Sequence, residues 1–261
     1  MSNSNYVLIG SSSALSREFV NLSAEKKFYL KHANEIVDFP DFESDLNIIY
    51  SKFFDTGKRY SIINDYISSS KQYNQLVEIG PGKGATLKYF NEKYNFNKII
   101  GFDLIFSKEV IDKNKYKNVE LIEGNFNYKI PIPDNSVDCL ILMMVIEHLF
   151  DPFYSFEQVK RLLAKDGLAF INLPLVTSIK NRFRLLTGRL PVTSSPYNTW
   201  FEDKEWDGNH MHYFNIESIK RICKKNDLRV LAIKPVGNFL FLKRAYPNLF
   251  CDEISFCVKK I

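Results

Sequence analysis

Between Gln75 and Pro174 short apolar runs alternate with stretches whose apolar residues recur at helical spacing. The runs predict strands at Gln75–Ile79, Lys98–Asp103, Val119–Glu123, Val137–Met143 and Leu168–Leu173. Strand–helix alternation of this kind specifies a parallel sheet with helices on both faces. Val137–Met143 is nearly continuous in its apolar character, as a central parallel strand covered on both sides should be. Phe153, Phe156, Val159 and Leu163 mark a helix over Asp151–Ala164, and Asp166-Gly167 supplies its stop and turn. Farther on, Asn215 caps a helix over Ile216–Lys225. Strands near Leu228–Pro235 and Ile254–Lys259 are expected to form an antiparallel edge on the parallel sheet.

Two regions depart from this rhythm. In the first seventy residues, Leu46, Ile49, Tyr50 and Phe53 form one helical stripe and Ile63, Tyr66 and Ile67 another. Ahead of them, Val7-Leu8-Ile9-Gly10 and a helix-like Ala14–Asn21 are faintly similar to the opening of a nucleotide-binding βα unit, but the later glycines are missing. The preferred reading is a helical cap with a short extra strand over 1–70, followed by the main domain over 71–261. The segment Leu175–Phe214 is long, aromatic and punctuated by Gly188, Pro191, Pro196 and Gly208. An insertion of that size in a compact domain is usually functional, and its aromatic residues predict a packed lid over about 175–214.

The length of 261 residues suits one generous α/β domain. Basic and acidic residues are interspersed and the formal charge is only +5, which argues against a nucleic-acid partner. The start is polar, and the longest apolar run, Cys139–Ile146, falls well short of the roughly 20 residues that span a bilayer. Neither a secretory signal nor membrane insertion is expected, and the location expected is cytoplasmic. Cys139, Cys223, Cys251 and Cys257 show no C-x-x-C pairing and read as buried free thiols. Homo-oligomerisation is left open.

The strongest local motif is Leu76-Val77-Glu78-Ile79-Gly80-Pro81-Gly82-Lys83-Gly84, a strand entering a glycine turn and a helix. Gly80 permits the tight turn, Gly82 admits a ligand close to backbone, and Gly84 lets the new helix approach the sheet. The helix N-terminus offers unpaired N–H groups to an anionic part of a ligand. Nicotinamide and flavin enzymes use similar turns. Glu78, however, sits inside the strand, where an acid is costly without a polar partner and where a dinucleotide site has no use for it. Asp103 closes the second strand at the distance expected of a carboxylate that accepts from ribose hydroxyls. Gly124-Asn125-Phe126 follows the third strand and can present an amide and a ring face to an adenine.

Together these motifs resemble the class I S-adenosylmethionine-dependent methyltransferases, specifically the type 11/12-like members. The resemblance runs on through Ile130-Pro131-Ile132-Pro133-Asp134-Asn135-Ser136-Val137-Asp138, Val145-Ile146-Glu147-His148-Leu149 and Asp151-Pro152 to Leu162-Leu163-Ala164-Lys165-Asp166-Gly167. It implies a Rossmann-like, doubly wound, mostly parallel seven-stranded sheet with the lid inserted after the fifth strand. It implies S-adenosylmethionine as methyl donor and S-adenosylhomocysteine as product. By this likeness Glu78, Gly80, Gly82 and Gly84 surround the methionine portion, Asp103 and Leu104 the ribose, Asn125 and Phe126 the adenine, and Met143 and Met144 the sulfonium. Many relatives carry Asp where this chain has Asn125. Arg59 is a weaker candidate for the cofactor carboxylate.

Methyl transfer from a sulfonium is an in-line displacement that asks chiefly for alignment and exclusion of water. An alcohol acceptor also calls for a base, and histidine suits neutral pH. Of His32, His148, His210 and His212, His148 lies just past the fourth strand, and within the resemblance His210 takes the place of a histidine facing the acceptor. His212 reads as structural. Arg182 and Arg189 are candidates for binding phosphate or carboxylate on the acceptor, and Trp200 and Tyr213 for walling its pocket. The loop Met143-Met144-Val145-Ile146 is not the Pro-Pro-aromatic element of nucleic-acid amino methyltransferases, and the paired glutamates of protein arginine methyltransferases are absent. Nor are carboxylates placed as in catechol-type enzymes, so no metal is expected. The lid looks like that of bacterial methyltransferases of small-metabolite and surface-polysaccharide pathways, some of which modify capsule sugars or phosphoramidate groups. The reading is O-methylation of a small polar acceptor, phosphorylated or sugar-linked, in capsule biosynthesis. The alternatives are a catalytically silent binding or regulatory protein on this fold and, behind it, a nicotinamide-dependent oxidoreductase.

Overall fold

The computed structural model describes residues 6–8, 19–21, 45–194, 207 and 210–261. His32, Trp200, Phe201 and Trp206 lie outside the described residues. β1 (Tyr6–Leu8) and β2 (Phe19–Asn21) pair antiparallel, with Val7 opposite Val20. The helix expected over Ala14–Asn21 is thereby corrected at its end: Phe19–Asn21 is extended and returns along β1. A strand answered by an antiparallel neighbour is not a nucleotide-binding βα unit.

The main sheet has seven strands, β3 (Gln72–Ile79), β4 (Asn95–Asp103), β5 (Val119–Glu123), β6 (Val137–Met143), β7 (Leu163–Pro174), β8 (Leu228–Pro235) and β9 (Glu253–Lys260), in the order β5-β4-β3-β6-β7-β9-β8. β3 to β7 are parallel, while β9 inserts antiparallel between β7 and β8. The helices are α1 (Leu46–Ile49), α2 (Ala85–Lys93), α3 (Lys108–Lys113), α4 (Pro152–Leu162), α5 (Ile179–Leu186), α6 (Ile216–Lys225), α7 (Leu240–Ala245) and α8 (Pro247–Phe250). This is the doubly wound sheet expected from the sequence. Strand order reverses between β3 and β6, where Leu76 to Ile79 run beside Cys139 to Leu142. In open α/β sheets ligands bind beyond the carboxyl ends of the strands at such a reversal.

Alternation along the strands builds two cores. Val77, Ile79, Ile100, Phe102, Leu140 and Leu142 face Phe156 and Val159 of α4 and Ile219 and Ile222 of α6. Leu76, Ile99, Cys139 and Ile141 point the other way, against Leu87 and Phe90 of α2 and against Ile49, Phe54, Ile62 and Ile63. Residues 49–67 therefore cover one face of the sheet. They do so as α1, a π turn at Tyr50–Phe54 and a 3-10 turn at Arg59–Asp65, interrupted by Gly57 at φ 83°. All four cysteines are buried and free. Among the described residues no helix is long and apolar enough to cross a membrane.

Three local predictions meet different fates. Asp151 caps α4 by accepting from the Phe153 and Tyr154 N–H groups, with Pro152 in the first turn. Phe153 lies outside the buried stripe, exposed on the solvent side. Asp166-Gly167 does not end the helix, which stops at Leu162; it lies within β7, where the register against β6 shifts between Val137 and Cys139. The chain absorbs its extra residues as an irregularity of the strand instead of a turn. The insertion is pinned at its base, where Leu175 bridges Phe214 and the Val176 N–H donates to the Phe214 carbonyl at 3.0 Å.

α6 opens with a reciprocal cap. Asn215 Oδ1 accepts from the Ser218 N–H at 2.8 Å, and Ser218 Oγ accepts from the Asn215 N–H at 3.0 Å. Asn215→Ala is expected to cost about 1 kcal/mol, read as a lower urea midpoint with an unchanged slope; an unaltered midpoint would show that the cap contributes nothing here.

Candidate active site

β3 delivers the chain to three left-handed glycines, Gly80 (φ 71°), Gly82 (φ 55°) and Gly84 (φ 75°), a conformation that side chains disfavour. The Gly80 N–H donates to the Phe102 carbonyl at 2.8 Å, which holds the turn against the end of β4. A Cβ on Gly80 would lie 2.9 Å from Val145 Cγ2, so this turn touches the loop that leaves β6. Gly84 caps α2, and a Cβ there would collide with the Asn114 side chain. The close approach is therefore to the end of α3, not to the sheet as expected.

Asp103 ends β4 beside that turn. Its Oδ1 accepts from the Leu104 N–H at 2.7 Å and its Oδ2 from the Gly82 N–H at 3.4 Å. Burial pushes its carboxyl up to about 6, against the pull of those two N–H groups and with some help from Glu123. Gly82, Asp103 and Leu104 are thus brought together. Glu78 is fully enclosed on the face covered by residues 49–67, and there it finds the polar partners its burial demands. Tyr60 donates to one oxygen at 2.5 Å and Thr86 to the other at 2.8 Å. Burial raises the carboxyl to about 7, the two hydroxyls opposing it. These partners, twenty residues and less away in sequence, were not foreseen.

Asn125 Oδ1 accepts from the backbone and side-chain N–H groups of Asn127, each at 2.9 Å, so it shapes its own loop. Phe126 is 4% exposed and belongs to the main core, which leaves its ring little surface to offer an adenine. Met143 is buried at the end of β6. Met144 follows at φ 57°, its N–H donating to the Asn172 carbonyl at 3.0 Å. A left-handed non-glycine residue of this kind costs on the order of 1–3 kcal/mol and such strain gathers at functional loops.

Past Met144 a 3-10 turn, Ile146–His148, carries two polar side chains side by side. The Glu147 carbonyl accepts from the Met211 N–H at 2.9 Å, and this clamp lays the 210–212 segment against the turn. The rings of His148 and His210 consequently meet edge to face, 4.9 Å between centroids. His210 Nδ1 lies 2.6 Å from Thr193 Oγ1, while the Thr193 hydroxyl donates to Asp207 at 2.6 Å. With the hydroxyl hydrogen spent on Asp207, His210 must donate from Nδ1, and the lone pair stays on Nε2. Burial and the neighbouring His148 hold the His210 imidazole below its ordinary range, hence neutral at pH 7. Asp207 is held low although burial opposes it, by hydrogen bonds from Ser194 and Thr193 and by His210.

Glu147 itself is fully buried, and among the described residues neither carboxylate oxygen has a hydrogen-bond partner. Burial pushes it up to about 8. A carboxylate placed this way costs several kcal/mol when ionised alone. Its Oε1 is 3.9 Å from His148 Nε2, and donor atoms of Glu147, His148 and His210 all lie within 4.8 Å of one another. Glu147 is not among the residues that the sequence marks for a site; its place between a β-strand end and a histidine is the available signal.

The remaining candidates scatter. His212 Nε2 bonds the Phe150 carbonyl at 3.0 Å, a bracing contact. Arg182 and Arg189 lie on the exposed side of α5 and just beyond it, Arg182 donating to the Thr177 carbonyl at 2.8 Å. Tyr213 is half-exposed and donates to the Pro191 carbonyl at 3.2 Å. Arg59 pairs with Glu253 at 2.6 Å. A hollow of about 460 Å³ lined by Asn64 to Ser69 with Tyr89, Lys93 and Tyr94 flanks the opposite, amino-terminal ends of the strands and is separate from this site.

A family model described as a methyltransferase domain matches residues 52–233. A probable S-adenosylmethionine-dependent methyltransferase of Mycobacterium tuberculosis is 32% identical over 143 residues, which cover 54% of this chain and 48% of that one. (S)-coclaurine N-methyltransferase of Thalictrum flavum is 22% identical over 191 residues, covering 64% of this chain and 51% of that one. The chain spans about half the length of the curated relatives it matches. Among solved structures, a SAM-dependent methyltransferase of Aquifex aeolicus superposes with a TM-score of 0.50 at 16% identity, covering 92% of this chain and 98% of that one. One of Mesorhizobium loti gives 0.54 at 10% identity, covering 77% and 97%. These two likenesses show the fold; the matched domain, with the glycine turn at the strand-order reversal, shows the family. The chain belongs to the class I S-adenosylmethionine-dependent methyltransferases.

Proposed function

We propose that the chain moves the methyl group of S-adenosylmethionine to a hydroxyl oxygen of a small polar acceptor that carries phosphate or sugar, of the kind used in capsule and other surface-polysaccharide synthesis. The observation that carries this reading is the meeting of His148 with His210 beyond β6, one turn past the loop in contact with Gly80. In the proposed arrangement Gly80, Gly82 and Gly84 line the methionine portion of the donor, Asp103 holds the ribose hydroxyls, Asn125 lies toward the adenine and Met144 toward the sulfonium. The acceptor oxygen attacks the methyl carbon, the carbon–sulfur bond breaks with its electron pair going to sulfur, and the hydroxyl proton leaves to an imidazole. Arg182 and Arg189, exposed on the insertion, supply charge for a phosphate or carboxylate on the acceptor. The insertion of about 175–214 acts as the acceptor lid on the 71–261 domain, and 1–70 as its cap.

Gly80→Ala is expected to abolish binding of S-adenosylhomocysteine in a calorimetric titration, since the new methyl group meets both a left-handed backbone and Val145. Retained binding would take the donor away from this turn.

Asp103 must be ionised to accept from two ribose hydroxyls, and its carboxyl sits at about 6 in the free protein, beside Glu123 and within the influence of Glu78. Binding of the donor product therefore takes up the deprotonated form: affinity is flat above that value and falls about tenfold per pH unit below it. Asp103→Asn removes the dependence; a titration unchanged between pH 7 and pH 5 would contradict the assignment.

For the acceptor, His148→Ala should lower turnover of a hydroxyl substrate by about 10²-fold or more while leaving S-adenosylhomocysteine affinity unchanged. Equal turnover by wild type and variant across sugar and sugar-phosphate alcohols would exclude the histidine pair from the reaction.

A further inference from the structure

We propose that Glu147, His148 and His210 bind a divalent transition-metal ion, with Zn²⁺ favoured by the two imidazole donors. Three facts converge. The donor atoms lie within 4.8 Å of one another, a spread that small rotations would close on a shared ion. Glu147 is fully enclosed, yet both of its oxygens lack a hydrogen-bond partner among the described residues. Buried polar atoms are nearly always paired, so a carboxylate left this way calls for a partner such as an ion.

The third fact is the support behind the ligands. Glu147 and His148 stand on one rigid 3-10 turn, and the Met211 N–H bond to the Glu147 carbonyl brings His210 to them from a distant part of the chain. Behind His210, Thr193 takes its Nδ1–H and passes its own hydroxyl to Asp207, which also accepts from the Ser194 N–H at 2.9 Å. A carboxylate that orients a histidine through its second nitrogen is the usual outer partner of a metal-ligating imidazole. Two imidazoles and one carboxylate suit nitrogen-preferring ions and disfavour magnesium or calcium, which want oxygen throughout. Three protein ligands leave coordination positions open.

The use of those positions rests on the methyltransferase reading; the binding of the ion does not. An ion held by these three residues would supply Lewis acidity, lowering the pKa of an acceptor hydroxyl placed at an open position so that its proton would pass to water. With the ion bound, His148 and His210 serve as ligands, and the imidazole base of the proposed function belongs to the metal-free chain alone.

The test uses the full chain freed of metal by a chelator and dialysed, then titrated calorimetrically with zinc chloride and with manganese chloride, each with and without S-adenosylhomocysteine. One equivalent is expected to bind, and Glu147→Gln, His148→Ala and His210→Ala are each expected to weaken it at least about tenfold. His212→Ala, whose ring bonds only the Phe150 carbonyl in the described structure, is expected to bind as wild type. As a check on folding, metal should raise the melting temperature of wild type but not of Glu147→Gln, with both chains giving the same circular dichroism. Failure of wild type to bind either ion, or undiminished binding by Glu147→Gln, overturns the proposal. Uptake of S-adenosylhomocysteine without metal sinks this inference alone; uptake of metal without S-adenosylhomocysteine leaves it standing and sinks the donor assignment.

Discussion

Gly80 leaves β3 with a φ of 71° and an amide bonded to the Phe102 carbonyl, and from that turn the positions of the other site residues follow. The turn lies where strand order reverses, so β4 must run to one side and β6 to the other. Asp103 arrives from the first side and ties itself to the Gly82 N–H. Val145 arrives from the second and packs where a Cβ on Gly80 would be. A side chain at that one position would have to displace Val145 and adopt a left-handed backbone as well, so the constraint falls on backbone geometry.

Two buried glutamates show how differently one fold can treat the same group. Glu78 and Glu147 are both fully enclosed, and burial raises both carboxyls, to about 7 and about 8. Glu78 has a donor on each oxygen, Tyr60 from the covering segment and Thr86 from α2. It ties the segment of residues 49–67 to the helix that follows the glycine turn, and the buried network is satisfied. Glu147 has imidazoles beside it and, among the described residues, a hydrogen bond on neither oxygen. A satisfied network rigidifies its surroundings, while each buried polar group without a partner calls for its own explanation.

Much of the scaffold was legible because its signals are local. β5, β6, α6 and β8 lie where periodicity placed them, and the Asn215 cap was visible as a side chain in front of an apolar stripe. The misreadings have local causes too. Asp166-Gly167 carries turn chemistry, but the pull of β6 kept the chain in a strand and turned the surplus into a register shift. Phe126, which follows a strand, invites a reading as a stacking ring, and only the fold shows it to be 4% exposed and part of the main core. His148 and His210 were found singly, through their positions near strand end and helix start. Their contact with each other, and with Glu147, could not be inferred, since it depends on a backbone hydrogen bond between Met211 and Glu147.

The amino-acid sequence by itself determined the alternating strands and helices, the glycine turn with Asp103 at the next strand end, and with them the family and its donor. Each of these depends on residues within a few positions of one another, where steric preference and periodicity act directly. Tertiary structure alone decided which polar groups are buried with partners and which without, and which distant histidines share a site. Burial and pairing are properties of surfaces brought together by folding, and the chain carries no local mark of the neighbour that a given side chain will meet.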